Sequence, residues 1–392
     1  MGMITMIPFN RPHLSGKEYV YIADAVSRQQ ISGDGHYTKL VGGFIERTFN
    51  TKKALLTTSC STALDMAGIL LNLKEDDEVV LPSYTFVSTA NAVLLRGAKP
   101  VFADIQEDTL NIDPNDIEKK ITDKTKAIFP VHYAGIGCDM DRINQLAKQH
   151  KLFIVEDAAQ GVNAKYKDQY LGTIGDIGCY SFHETKNYSC GEGGAILINS
   201  SQEMIERAEI IREKGTNRTK FFRGEVDKYT WVDIGSSFLP SDMLAAFLYA
   251  QFENLNTINE KRKKVFDYYH EMLIPLEKKG LIRLPVIPKN CTTNYHMFYI
   301  LLQSEQERDR LMAMLKANGV LAIFHYIPLH MSPVGRKFGY HPEDLPKTKD
   351  LSGRLLRLPM YVDLSVSDQE LIVNLIYNYF GTAFKSKLHR AV

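Results

Sequence analysis

Two residues of this chain carry reactive side chains where a cofactor could meet them, Asp157 and Lys186. Asp157 follows the apolar run Leu152-Phe153-Ile154-Val155, which reads as a strand buried on both faces. Such strands belong to open α/β sheets, whose ligands bind beyond the carboxyl ends of the strands. Lys186 lies in the polar segment Ser181-Phe182-His183-Glu184-Thr185-Lys186-Asn187, just after a second short strand over residues 178–182 that returns to the same edge. An acid and an amine that converge on one crevice suit pyridoxal phosphate (PLP) chemistry. The amine condenses with the aldehyde as a Schiff base, and the acid pairs with the pyridinium nitrogen and keeps it protonated. Taken singly, a lysine reads as a solvated charge and Glu-Asp after a strand as a turn or cap; the combination carries the assignment.

The elements that must position this pair alternate. Residues 1–14, with Pro8 and Pro12, read as an extended arm. Ser15 reads as an N-cap completed by Glu18 for a helix to residue 28, and a second helix covers residues 36–49. Strands are then expected at 53–58, 78–81, 100–104, 127–132, 152–155, 178–182 and 195–199. Between them fall helices at 60–71, 87–96, 114–121 and 140–150. This alternation is the signature of an α/β domain with a mostly parallel sheet flanked by helices. The helix after the first strand opens on Ser59-Cys60-Ser61-Thr62, where free amides and the helix dipole could face a phosphate, although the same pattern also serves as a plain cap. Phe86 reads as a core aromatic from the sequence alone. The glycines of residues 172–178 have the wrong spacing for a dinucleotide loop, and those of 191–194 give backbone room and a turn into the next strand.

Beyond the sheet, a helix over 200–214 precedes an aperiodic loop, 215–235, rich in basic and aromatic residues and holding the only tryptophan, Trp231. Helices follow at 241–254 and 257–279. A smaller C-terminal α+β domain carries strands at 297–302 and 320–326 and helices at 305–318 and 367–380. The domains are thus 1–256 and 257–392.

Composition narrows the partners. A formal net charge of +1 over 392 residues, with no long basic block, argues against nucleic acid. No apolar stretch approaches the roughly 20 residues of a membrane span, and the N-terminus lacks a secretory pattern, so the expected compartment is the cytoplasm. Met6 stands where a myristoylation signal needs Ser or Thr. Five widely spaced cysteines (Cys60, Cys138, Cys179, Cys190 and Cys291) form neither a disulfide framework nor a metal site and read as small buried residues.

The segments Val155-Glu156-Asp157-Ala158-Ala159-Gln160 and Ser181-Phe182-His183-Glu184-Thr185-Lys186-Asn187 resemble the DegT/DnrJ/EryC1/StrS sugar aminotransferases, of aminotransferase fold type I. The resemblance runs from Ile7-Pro8-Phe9-Asn10-Arg11-Pro12 to the Leu358-Pro359 region. Within the family, residues 81–91 and 324–330 are most similar to transaminases that make dTDP-4-amino-4,6-dideoxygalactose for enterobacterial common antigen. The resemblance implies PLP as cofactor, L-glutamate as amino donor and a dTDP-linked 4-keto-6-deoxy sugar as acceptor, in a homodimer or larger homo-oligomer. It implies that Lys186 is catalytic, that Ser59, Cys60 and Ser181 meet the cofactor phosphate, that Phe86 stacks on the ring, and that Gln160 joins Asp157 in holding the cofactor. Loop 215–235 would then reach towards a neighbouring subunit. Relatives commonly carry asparagine where this chain has Ser237, which is left without a role. A dehydratase of the same family would have histidine in place of Lys186. A non-catalytic PLP-binding regulator remains a second reading, although residues 1–50 and 257–392 show no basic helix-turn-helix pattern.

Overall fold

The computed structural model describes residues 6–384; the first five residues read above for targeting signals lie outside that range. A seven-stranded sheet forms the centre. Its strands, in chain order, are β1 (Lys53–Thr57), β2 (Glu78–Pro82), β3 (Lys99–Ala103), β4 (Thr125–Ile128), β5 (Phe153–Asp157), β8 (Ile177–Ser181) and β9 (Gly194–Ile198); a small hairpin of β6 (Lys165–Tyr166) and β7 (Gln169–Tyr170) intervenes. The spatial order is β1-β9-β8-β5-β4-β2-β3. Pairing is parallel from β3 through β2, β4 and β5 to β8, and only β9 runs against the others. The carboxyl ends of β1, β2, β5 and β8 therefore open on one edge, where β9 begins.

Burial on both faces follows from the strand period of two. Leu56, Val80, Ile128, Ile154, Tyr180 and Leu197 pack into one apolar layer. Their sequence neighbours Leu55, Val79, Ala127, Val155, Cys179 and Ile196 pack into the other. Helices cover both faces, among them α1 (Glu18–Ser27), α2 (His36–Phe49), α3 (Cys60–Leu70), α4 (Val87–Leu94), α5 (Pro114–Lys120), α6 (Met140–His150) and α7 (Gln202–Arg212). All five cysteines are free thiols, four of them buried, as expected of small apolar residues.

After α8 (Arg218–Phe222) and α9 (Asp242–Glu253), the 24-residue helix α10 (Leu255–Lys278) leads into a third apolar cluster built from residues 265–377 together with Ile7 of the N-terminal arm. There the two-residue strand β10 (Cys291–Thr292) joins the β6–β7 hairpin, while β11 (Phe298–Leu301) pairs antiparallel with β12 (Leu355–Leu358). Helices α11 (Glu305–Ala317), α12 (Pro333–Lys337), α13 (Pro346–Arg354) and α14 (Val366–Tyr379) complete it. Among the described residues no helix is long and apolar enough to cross a membrane.

Four expectations are corrected. The strand expected at 127–132 ends at Ile128, because Pro130 has no N–H to donate; its carbonyl accepts instead from the Asp157 N–H at 2.9 Å. Residues 320–326 form no strand; their backbone pairs only at isolated bridges, Val320 to Ile7 and Ile323 to Arg357. The loop at 215–235 contains α8. Helix α1 starts at Glu18 with Lys17 as N-cap, and the Glu18 carboxylate accepts from the Ser15 N–H (2.6 Å), the Ser15 hydroxyl (2.7 Å) and the Gly16 N–H (2.8 Å), so the expected capping partners meet just outside the helix.

Candidate functional site

Asp157 ends β5 at the open edge of the sheet. It is almost fully buried, and its carboxylate is fixed from two sides: the Thr89 hydroxyl donates to Oδ2 at 2.7 Å and the Ala159 N–H to Oδ1 at 3.2 Å. Thr89 comes from α4, so a helix after β2 locks an acid at the end of β5. The neighbouring Glu156 points to the opposite face and is wholly buried. It accepts from Gly172 N–H (2.8 Å), Ile174 N–H (2.7 Å), Gly175 N–H (2.6 Å) and His132 Nε2 (2.7 Å). The Cys138 N–H donates to His132 Nδ1, which assigns the His132 proton to Nε2. The glycine-rich run at 172–178 is thus a nest for a buried carboxylate that anchors the end of β5.

The start of α3 is the part of the candidate site that could take a phosphate. Ser59 is its N-cap in a reciprocal capping box with Thr62. That leaves the amides of Cys60 and Ser61 in the first turn without intrahelical acceptors, facing the crevice with the positive end of the helix dipole. Close approach is enforced by Gly194 at the head of β9. A Cβ there would stand 2.3 Å from the Ser59 carbonyl carbon and 2.5 Å from the Cys60 nitrogen, so no other residue lets β9 pass beneath this turn. The Cys60 side chain packs into the apolar layer under α3, where desolvation raises its thiol pKa well above the usual value; its backbone N–H is what remains for an anion. Ser181, at the end of β8, is buried and lies alongside.

Lys186 sits in a loop closed by Phe182 N–H to Gly193 O (2.8 Å), Cys190 N–H to Phe182 O (2.9 Å) and Glu184 N–H to Gly191 O (2.9 Å). The residue is half-buried, and its pKa is lowered from the ordinary lysine value by desolvation, which outweighs the upward pull of Cys60 and Asp157; the Arg357 charge adds a smaller lowering. The next residue ties the loop to the C-terminal part of the chain. Asn187 Nδ2 donates to Asn294 O at 2.7 Å, and its Oδ1 meets His296 Nδ1 at 2.9 Å. This assigns the His296 proton to Nδ1. Burial and the nearby Lys186, Arg262 and Arg357 charges hold the His296 pKa well below the usual histidine range.

All seven residues singled out from the sequence, Ser59, Cys60, Phe86, Asp157, Gln160, Ser181 and Lys186, line one cavity of about 410 Å³. Phe86 corrects the reading from sequence alone: it is 56% exposed, as N-cap of α4, with one flat apolar face open to the cavity and the Tyr326 ring 6.1 Å away. Gln160 is held at both ends of its amide, Oε1 by the Ala134 N–H (2.7 Å) and Nε2 by the Tyr326 hydroxyl (3.2 Å). His183 also lines the wall, with Nδ1 engaged by Thr185. Ser237 is exposed in the loop before α9. The cavity further draws in Phe9, Thr85, His296, His325, Tyr326 and Arg357, which the sequence reading missed. Their signals were slight: a histidine two residues before the apolar β11, and one arginine inside the otherwise aliphatic Leu355-Leu356-Arg357-Leu358.

These parts fit PLP as a set. An unpaired helix start can take the phosphate, a braced carboxylate can face the ring nitrogen, a flat aromatic can cover the ring, and an amine made more nucleophilic by burial can meet the aldehyde.

Comparison with known proteins agrees. The sequence profile of the DegT/DnrJ/EryC1/StrS aminotransferase family matches residues 13–377. An uncharacterised protein of Methanocaldococcus jannaschii is 32% identical over 379 residues, 95% of this chain and 97% of its own. A pleiotropic regulatory protein of Geobacillus stearothermophilus is 33% identical, over 93% of this chain and 94% of its own. Among solved structures, S. venezuelae DesV in complex with a ketimine intermediate superposes with a TM-score of 0.86 at 28% identity, covering 97% of this chain and all of its own. A candidate sugar aminotransferase of Streptococcus pneumoniae, solved in its PLP form, gives 0.88 at 25% identity, over 95% and 98%. The chain belongs to the DegT/DnrJ/EryC1/StrS aminotransferase family and is a PLP-dependent aminotransferase.

Proposed function

We propose that the protein transfers an amino group from L-glutamate to a nucleotide-linked 4-keto-6-deoxy sugar, dTDP-4-dehydro-6-deoxy-D-glucose, giving dTDP-4-amino-4,6-dideoxy-D-galactose and 2-oxoglutarate. It does so in the cytoplasm as a homodimer or larger homo-oligomer, with a cofactor-binding body of residues 1–256 and a smaller body of 257–392. The observation that carries the reading is that Asp157 and Lys186, 29 positions apart in sequence, line one cavity whose floor is the start of α3. Support for a sugar acceptor comes from the relatives: the streptococcal neighbour is described as a candidate sugar aminotransferase. The choice of sugar rests on the sequence resemblance in residues 81–91 and 324–330.

When bound, PLP supplies an electron sink for the carbanion of the amino-group donor and stores the nitrogen between the two half-reactions. The chain does the rest. The amides of Cys60 and Ser61, with Ser59 and Ser181 beside them, hold the phosphate; Phe86 fixes the ring plane; Asp157 keeps the ring nitrogen protonated, and Thr89 and the Ala159 N–H hold Asp157 in place. Gln160, clamped between Ala134 and Tyr326, would help Asp157 hold the cofactor. Lys186, once its amine is free, would carry a proton between the substrate carbon and the aldehyde carbon of the cofactor, one way with the donor and the other way with the acceptor. Its depressed pKa places the neutral, proton-accepting form within reach at lower pH than for a solvated lysine.

Purified PLP-loaded protein incubated with glutamate should release 2-oxoglutarate stoichiometrically without a sugar nucleotide and catalytically with one. Lys186→Ala should abolish both the transfer and the borohydride-trapped cofactor adduct on the residue 186 peptide; an adduct that persists there would contradict the assignment. Product NMR over a panel of dTDP- and UDP-ketosugars decides the acceptor and the stereochemistry. The same assay separates the second reading, a PLP-binding regulator, which the name of the Geobacillus stearothermophilus relative keeps in view: a regulator would load the cofactor and release no 2-oxoglutarate.

A further inference from the structure

Among the described residues, two buried positions other than glycine have a left-handed backbone, Leu110 (φ 62°) and Ala134 (φ 57°). An L-residue held there costs free energy that its surroundings must offset, and such residues collect where a backbone group has to be aimed. The two meet at one buried side chain, Asn111, in the loop between β3 and α5. Its Oδ1 accepts from the Tyr133 N–H at 2.9 Å, and its Nδ2 donates to the carbonyls of Ile136 (3.0 Å) and Gly137 (3.1 Å). A single amide thus grips both ends of the turn 133–137. His132 closes the same turn by taking the Cys138 N–H on Nδ1, while its Nε2 is held by Glu156. From the C-terminal part of the chain, the Asn294 Oδ1 presses against Gly135 and leaves no room there for a Cβ.

What the turn aims is the Ala134 N–H, which donates to Gln160 Oε1 at 2.7 Å. A side-chain amide has one accepting end and one donating end, so this bond decides which way round Gln160 sits. Its Nε2 goes to the Tyr326 hydroxyl in the cavity wall (3.2 Å) and keeps a second N–H unspent. Without a fixed N–H at residue 134 the amide could turn over and offer the cavity an acceptor instead. The Gln160 backbone is pinned separately, by Asn294 Nδ2 to the carbonyls of Gln160 and Val162, both at 2.8 Å. We propose that Asn111, which does not itself line the cavity, is a positioning residue of the active site: it winds residues 133–135 into the left-handed turn that sets the polarity of the Gln160 amide. This inference rests on the reading of Gln160 as a residue that holds the cofactor.

The test reads the bound cofactor, not turnover. In Asn111→Ala the affinity for pyridoxamine phosphate should fall roughly 3- to 10-fold, as for one misaligned neutral hydrogen bond, and the visible circular dichroism of the PLP-loaded protein should change with it. Gln160→Leu should lower the same affinity and alter the same band. The double variant should bind pyridoxamine phosphate within about twofold of Gln160→Leu alone, because Asn111 acts through that amide. Losses that multiply in the double variant, or an Asn111→Ala protein with unaltered affinity and dichroism, overturn the proposal. So does a Gln160→Leu protein with an unaltered cofactor, since nothing would then lie at the end of the clamp. Should Asn111→Ala fail to fold, the remaining proteins decide: pyridoxamine phosphate should slow hydrogen exchange across residues 133–137 in the wild type and not in Gln160→Leu, and any other pattern overturns the proposal. A protein that shows this coupling but forms no 2-oxoglutarate from glutamate would refute the proposed function and leave the role of Asn111 standing.

Discussion

Asp157 is held so firmly that its substitution isolates one chemical role. Thr89 and the Ala159 N–H aim the carboxylate, so Asp157→Ala should leave the fold and the phosphate cradle in place while slowing turnover by roughly 10²–10³-fold, the usual loss for one preorganised electrostatic partner. Cofactor absorbance and single-turnover kinetics check it, and near-normal rates would remove Asp157 from the role. Lys186 makes a second prediction, through proton linkage. Desolvation lowers its pKa in the folded chain below the ordinary lysine value of 10.5, so between the lowered value and 10.5 the unfolded chain binds more protons. The resulting penalty is complete below the folded pKa and disappears as pH rises towards 10.5. Cofactor-free Lys186→Met should therefore be more stable than wild type at neutral pH, with the gap narrowing in denaturant melts near pH 10; a gap that widens with pH would reverse the sign. Both residues were legible in the sequence because each lies at or within a few residues of the end of its own strand. Arg357 and His296 were not: they reach the cavity from β12 and from the approach to β11, over a hundred positions along the chain, and no local spacing records that approach.

At the scale of elements, the placement of the cradle depends on β9 running against its neighbours. It starts at the ligand edge, and its first residue, Gly194, pairs with Thr57 on one side and Ser181 on the other, directly under the turn into α3. Gly194→Ala would force a Cβ to within 2.3 Å of the Ser59 backbone, which neither strand can yield without lifting the start of α3. The expected cost is about 1–3 kcal/mol of stability, as for other overpacked sites, together with weaker binding of pyridoxamine phosphate and of inorganic phosphate. Phosphate affinity unchanged in a folded Gly194→Ala protein would show that the turn does not need this approach. The strands of the central sheet were readable because both faces are buried and each is a short apolar run between turn residues. The β5–β8 pairing and the reversal of β9 were not, since hydrophobic pattern fixes which face is covered and says nothing of direction. The strand expected at 320–326 failed for a related reason: Phe324-His325-Tyr326-Ile327 has β-prone composition, but His325 and Tyr326 turn their rings into the cavity and Phe324 and Ile327 stay exposed. Residues 172–178 and Glu156 show how a pattern that resembles a ligand loop can be satisfied from within, by one buried carboxylate.

On the scale of the whole molecule, the stretch after α7 is built inside out. Its polar groups turn down onto α7, through Lys220 to Glu206 (2.6 Å), Arg223 to Glu209 (2.9 Å) and Arg207 to Asp233 (2.8 Å). Its large apolar groups turn outward: Trp231 is 76% exposed and Phe222 70%, with Tyr229, Val232 and Ile234 also open to solvent. Large apolar groups turned outward while the polar groups turn inward fit an interface better than a solvated loop. The proposed homodimer would bury it, and the chain carries its own reporter, because Trp231 is the only tryptophan. Diluting the protein through its dissociation constant should shift the tryptophan emission to the red in step with a halving of the sedimenting mass. Trp231→Ser should weaken assembly by about 2 kcal/mol or more, roughly 30-fold in the dimer dissociation constant, if this ring is one of the anchors. Emission already at the solvent-exposed limit in a sample that sediments as a dimer would place the interface elsewhere on the surface and leave these aromatics to be explained by another partner.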